Sequence, residues 1–312
     1  MGKYDDFGEK TAMAWRDVNF QQFSLKYPNE NACRKKLFQM RWPDGFICPD
    51  CGCREYYFIE KRQRYQCKGC RKQHSVTSGT IMHKTHLPLI TWFWAMYLVS
   101  RDKRAFSATR ISDELNISIK AAWFLLHRLR KAMGNEIERS RLSGIVEIGE
   151  VNFGKSATPE PTPRGIGKQT ALVGLSVDPD GKPLSLRIQL VENRRGSTIG
   201  RFAKRVIAPG SLIQTDELRC YHKSLQKNHL KEYSLESSNH MSLRWLKTIV
   251  MNAKLAIEGT FHGLDSKYLQ SYFDEFCFRF NFRHKRELIF KNLMRCIMES
   301  KPFTFADLKI NH

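Results

Sequence analysis

The sequence predicts an α+β protein of several domains: a small cysteine-stapled β unit, a helix-turn-helix pair, and an α/β domain closed by C-terminal helices. Three observations predict it. Four cysteines form two Cys-x2-Cys pairs fifteen residues apart. Two helical patterns flank a tight turn at Asn116-Ile117-Ser118. From Gly144 onward the apolar period changes from helical to strand-like and later back to helical.

Residues 1–15 carry no period and are expected to fray. Over residues 20–40, apolar and aromatic side chains share one helical face, with Lys and Arg on the other. Asn29 is placed to cap a helix over residues 30–40. Arg41-Trp42-Pro43-Asp44-Gly45 reads as a turn.

The cysteine pairs come next, Cys48-Pro49-Asp50-Cys51 and Cys67-Lys68-Gly69-Cys70. Each pair puts two sulfurs on one turn, and a C-x2-C-x15-C-x2-C spacing suits tetrahedral Zn²⁺ held by four thiolates. The prediction is a zinc ribbon with ligands Cys48, Cys51, Cys67 and Cys70, in which Gly52 and Gly69 permit tight backbone. Structural zinc supplies folding energy that so small a unit cannot draw from a core. Cys53 can stand in for Cys51, and His74 is a weaker alternative ligand. Strands are expected at Tyr56-Tyr57-Phe58-Ile59 and Arg64-Tyr65-Gln66. Cys33, Cys220, Cys277 and Cys296 lack partner spacing and read as packed thiols.

The aromatic stripe Trp92, Phe93, Trp94, Tyr97 lies on a helix over residues 89–100 and reads as core. Residues 108–115 and 119–133 form the helix-turn-helix, with Ser118 as cap of the second helix. Ala122, Leu125, Leu126 and Leu129 make its buried face, while Lys120, His127, Arg128, Arg130 and Lys131 make a basic exterior. In such a motif the second helix enters the major groove of duplex DNA. Strands follow at residues 145–153, 170–177 and 184–191, the last two joined by the turn Asp178-Pro179-Asp180-Gly181-Lys182. Residues 154–169 read as a basic loop, 197–206 as a helix, and 211–215 as a short buried strand ending at Asp216. Helices are expected near 217–227, 242–257, 267–282 and 286–298. Three strands, a helix, a short strand and further helices follow the order of an RNase H-like α/β fold.

With 312 residues and a net charge of +21, the chain is long enough for a full core and favours a polyanionic partner, most simply nucleic acid. No apolar run approaches the roughly 20 residues of a membrane span, and the polar start MGKYDDFGEK has no signal-peptide core. The expected location is the bacterial cytoplasm, at the nucleoid, with the nine cysteines reduced or metal-bound.

The chain resembles the zinc-ribbon insertion-sequence transposases of the group numbered fifteen ninety-five. The likeness rests on Tyr27-Pro28-Asn29-Glu30, Arg41-Trp42-Pro43-Asp44-Gly45, the four-cysteine ribbon, Ser78-Gly79-Thr80-Ile81, Ala121-Ala122-Trp123 and His127-Arg128-Leu129-Arg130. It continues through Thr215-Asp216, Gly259-Thr260-Phe261-His262-Gly263 and the run from Tyr272 to Asn281, so it spans roughly residues 16–290. It implies an RNase H-like, DDE-type domain that cuts and joins transposon ends using two Mg²⁺ ions held by carboxylates.

Set against that family, the catalytic positions are altered. The family motif Val-Glu-Val-Asp-Glu is here Val146-Glu147-Ile148-Gly149-Glu150, so Gly149 stands where the first Asp belongs. Asp216 matches the second Asp, and Lys247, which cannot ligate Mg²⁺ while protonated, falls at the third position. Asn252 and Lys254 match the downstream pattern, and Phe282 interrupts the basic ending. The resemblance therefore implies a DNA-binding pseudoenzyme, with Asp216 a remnant and Zn²⁺ its structural metal. An active enzyme, in which Glu147 or Glu150 joins Asp216 in holding Mg²⁺, stays open. Expected DNA contacts are Lys120, Trp123, His127, Arg128, Arg130, Lys131 and Lys254, with Lys267 and Arg279 along phosphates. The implied domains are residues 16–45 (helical), 46–82 (zinc ribbon), 86–140 (helix-turn-helix) and 144–300 (RNase H-like). The implied partners are double-stranded, transposon-end-like DNA, a second copy of the chain as dimer, and another transposition or regulatory protein; no membrane partner is implied.

Overall fold

In the computed structural model, which describes residues 19–101, 105–154, 169–215, 234–237, 243–261, 264–284 and 287–310, the chain divides into two units. The first contains residues up to 102, 108–132 and 285–311; the second contains 103–107 and 133–284.

The first unit opens with α1 (Phe20–Lys26) and α2 (Glu30–Arg41). As the capping position of Asn29 predicts, a second helix starts at Glu30, and the break falls at Tyr27-Pro28-Asn29. Proline disfavours helical backbone in the residue before it, and Asn29 then caps α2 by accepting from the Ala32 N–H at 3.0 Å. The ribbon sheet has the order β1-β2-β3, formed by Tyr56–Ile59, Arg64–Cys67 and Gln73–His74. The helices α3 (Leu89–Arg101), α4 (Ala108–Leu115) and α5 (Ile119–Arg139) follow; α5 continues into the second unit. At the turn before α5, Asn116 takes φ 49°, and Ser118 Oγ accepts from the Ala121 N–H at 3.2 Å.

Two C-terminal helices, α9 (Glu287–Glu299) and α10 (Phe305–Ile310), belong to this first unit rather than to the α/β domain that precedes them in sequence. Aromatic rings of α1 and α3 are the reason. Phe23, Tyr27 and Phe93 gather around Phe290 of α9, with ring centroids 5.4, 6.1 and 6.3 Å from it. Trp92, Phe93 and Tyr97 are buried, as their pattern predicts.

The second unit is built on a five-stranded sheet of order β6-β5-β4-β7-β8. Strands β4 (Ile145–Phe153), β5 (Gln169–Val177) and β6 (Pro183–Val191) are antiparallel neighbours, and β7 (Leu212–Thr215) runs parallel to β4. A strand unforeseen from sequence, β8 (Ser234–Ser237), lies parallel to β7. The β5–β6 turn closes as expected: Gly181 sits at φ +75°, and the Lys182 N–H donates to Asp178 Oδ1 at 2.7 Å.

Alternation along β4 sorts its side chains between two faces. Val146 and Ile148 join a core with Ile199, Phe202 and Val206 of α6 (Gly196–Val206). Glu147, Gly149 and Phe153 point the other way, toward α7 (Arg244–Thr260) and α8 (Leu269–Asn281). Phe153 meets Phe273 of α8 at 4.5 Å, and Asn281 exchanges two hydrogen bonds with the backbone of Leu186. Among the described residues, no helix is long and apolar enough to cross a membrane.

Candidate functional site

Among the described residues, two places carry chemistry. The first is the ribbon. Cys48, Cys51, Cys67 and Cys70 bring their sulfurs within 4.8 Å of one another, with Cys48–Cys70 at 3.6 Å and Cys51–Cys67 at 3.5 Å. Four sulfurs placed tetrahedrally about 2.3 Å from Zn²⁺ lie about 3.8 Å apart, so the donor set fits that ion.

The two knuckles are built alike. The Cys48 carbonyl accepts from the Gly52 N–H, and the Cys48 N–H donates to the Cys53 carbonyl, both at 2.9 Å. The Cys67 carbonyl accepts from the Arg71 N–H, and the Cys67 N–H donates to the Lys72 carbonyl, both at 3.0 Å. Left-handed backbone falls at equivalent places, Gly52 (φ 73°) and Arg71 (φ 59°). Gly69 therefore serves differently from the sequence expectation. A Cβ there would stand 3.2 Å from Cys53 Cβ and 3.5 Å from Cys51 Sγ, so it is close approach that requires the glycine.

Burial pushes the Cys48 thiol up, but N–H groups of Asp50 and Cys51 and neighbouring thiols outweigh it and hold it down at about 6. A thiol so lowered is ready to bind metal as thiolate. Cys53 lies outside the four-sulfur group. His74 sits behind the cluster, with Nε2 3.5 Å from Cys48 Sγ and 3.2 Å from Asp50. Asp50 also pairs with Lys72 at 2.6 Å, which ties the first knuckle to the second.

The second place is the α7-facing side of β4. A Cβ on Gly149 would lie 3.0 Å from Leu246 Cδ2, so Leu246 covers the spot from which an aspartate would project. Glu147, on the same strand face, is 2% exposed. Burial pushes its carboxyl up to about 7, partly opposed by a hydrogen bond from the Leu246 backbone N–H. That N–H is in the first turn of α7, whose own N-cap residue, Leu243, supplies no side-chain cap. Glu147 thus serves as the cap from a neighbouring strand; its Oε2 has no hydrogen-bond partner. Glu150 points to the opposite face and pairs with Arg194 at 3.0 Å. Lys247 is exposed on α7, whose buried row is Leu246, Ile249, Ala253 and Ile257. Asp216 and the helix expected at residues 217–227 lie outside the described residues, as does Cys220.

The basic exterior expected of α5 is only partly realised. Lys120 and Lys131 are exposed and Trp123 is half-buried, but His127, Arg128 and Arg130 are buried. Arg128 is a packing residue: its Nε donates to the Phe303 carbonyl at 3.0 Å, and its guanidinium lies 4.4 Å from the Phe124 ring. The physical reason is that the polar side of α5 is covered within the chain as well as its apolar side. Lys254 is half-buried, with Nζ 5.7 Å from the Phe153 ring. Arg279 is held by buried Glu275 at 2.8 Å, and Lys267 pairs with Asp265 at 3.3 Å, so neither cation is unengaged.

Residues 28–73 match the family model of the transposase zinc-ribbon domain, and residues 141–281 match that of the ISXO2-like transposase domain. An uncharacterized protein in transposable element ISH50 of Halobacterium salinarum is 29% identical over 127 residues. That alignment takes in 40% of this chain and 42% of the relative, so the chain spans less than half of the relative's length.

Proposed function

Because the chain belongs to the zinc-ribbon insertion-sequence transposases, we propose that it binds specific double-stranded DNA and no longer cuts it. The observation that carries the reading is Leu246 seated against Gly149. A two-metal site needs converging carboxylates, and the described residues around Gly149 do not fit one. Glu147 caps α7 and Glu150 is taken up by Arg194 on the other face. Lys247 brings a positive charge and no ligand.

The ribbon fits zinc, which would staple the two knuckles and take no part in any reaction. In this reading α4 and α5 form the helix-turn-helix, with Lys120, Trp123 and Lys131 as its outward DNA contacts and Lys254 a further one. The sheet, in which β7 runs parallel to β4 beyond an antiparallel β4-β5-β6 meander, supports the RNase H-like assignment. A dimer on transposon-end-like DNA, acting in regulation or beside an active transposase, completes the proposal.

A second reading is favoured by Glu147 Oε2, a buried oxygen without a hydrogen bond. It keeps cleavage, with Glu147 as a shifted Mg²⁺ ligand beside Asp216. The test is Mg²⁺- or Mn²⁺-dependent nicking of a bound duplex by the wild type and Asp216→Ala. The first reading expects binding without nicks in both; nicks lost on substitution would establish the second.

A further inference from the structure

The ribbon has a feature that zinc binding does not use. Among the described residues, strand β1 is the free edge of its sheet and pairs with β2 alone. Three consecutive aromatics stand exposed along it: Tyr56 at 37%, Tyr57 at 62% and Phe58 at 40%. A bare edge carrying large rings is a liability that folded proteins normally blunt or cover. Around it, Arg54, Lys61, Arg62 and Arg64 are exposed, with no ion pair among the described residues. Lys68 lies over the Tyr57 ring at 5.1 Å. Phe58 and Arg34 also line a cleft of about 440 Å³ beside the start of α2, together with Asn29, Asn31, Gln63 and two carboxylates, Glu30 and Glu60.

Cations beside exposed rings fit a polyanion that also has flat, stackable faces. Bases inside a duplex are already stacked on one another and offer side chains only their edges. Exposed tyrosine and phenylalanine on a strand suit unpaired bases, as in other single-strand binders. The cleft beside Phe58 has room for one base. We propose that β1 of the ribbon is a single-stranded DNA site: a strand running along the free edge stacks bases on Tyr57 on one face and on Phe58 on the other, and phosphates follow Arg54, Lys61, Arg62 and Arg64. This rests on the DNA-binding reading above and extends it to unpaired strand, such as a frayed or displaced end.

The experiment is fluorescence anisotropy of the full zinc-loaded chain with a labelled mixed-sequence single strand, its RNA counterpart and the corresponding duplex. Tyr57→Leu and Phe58→Leu keep apolar bulk but cannot stack. Each is expected to weaken single-strand binding about tenfold while leaving duplex affinity and zinc content unchanged. Tyr57→Ala, at the most exposed of the three positions, is a second variant should either leucine form fold poorly. The proposal is overturned by equal losses on duplex and single strand, or by duplex binding with no single-strand binding. Tighter binding of RNA than of DNA also overturns it. Failure to bind any of the three nucleic acids would remove the DNA-binding reading as well.

Discussion

Replacing Glu147 with glutamine tests the β4–α7 contact. In the folded chain the carboxyl is pushed from 4.5 up to about 7, chiefly by burial. Between those values the folded protein holds a proton that the unfolded chain has released. Stability therefore falls as pH rises from about 4.5 to about 7 and levels off above that. At about 1.4 kcal/mol per pH unit, the rise from 4.5 to about 7 amounts to at most about 3.5 kcal/mol. Glutamine has no proton to lose and keeps a carbonyl oxygen for the Leu246 N–H. Urea denaturation at pH 5 and pH 8 should thus show Glu147→Gln gaining on the wild type by up to about 3 kcal/mol at the higher pH. The same pH dependence in both proteins would refute the argument, because Glu147 would then not be a buried, protonated cap.

Gly149→Asp should destabilise by about 3 kcal/mol, since it presses on Leu246 and sets a second carboxyl beside Glu147; Leu246→Ala in the same chain should recover part of the loss, read by thermal melting. Cys48→Ser should lose zinc by metal analysis while Cys53→Ser retains it, because only the former is in the four-sulfur group. Lys120→Ala and Lys131→Ala should each reduce the salt slope of duplex binding by about 0.9. Arg128→Ala should instead cost about 2–3 kcal/mol of folding stability, with the slope unchanged.

Much of this architecture is legible in the residues, and the failures have physical causes. Alternating β-branched residues and the Asp178–Lys182 turn locate β4, β5 and β6 to within a residue or so. Asn29 and Ser118 mark helix starts because their side chains can satisfy backbone N–H groups that a helix leaves open. The four cysteines announce themselves by spacing, yet only the structure separates Cys51 from Cys53. Arg128 and Arg130 read as surface because charge usually means water; what overrides this is long-range burial, with Phe303, 175 residues away, accepting from Arg128. The return of α9 to the first unit depends equally on distant contacts to Phe23 and Phe93, which no local pattern records. Strand β8 escaped because Ser234–Ser237 is short and mixed, and what defines it is its pairing with β7. Gly149 stands out in sequence against the motif the resemblance supplies, whereas the leucine lying over it does not.

Under the proposed function, the chain keeps hold of duplex DNA and lacks the carboxylates to sever it. The most direct measurement incubates the zinc-loaded chain with a duplex selected for tight binding, in Mg²⁺ and separately in Mn²⁺, and scores both strands for breaks. Intact strands under saturating complex are predicted for the wild type and for Asp216→Ala alike. Metal-dependent breaks that vanish in Asp216→Ala would contradict it.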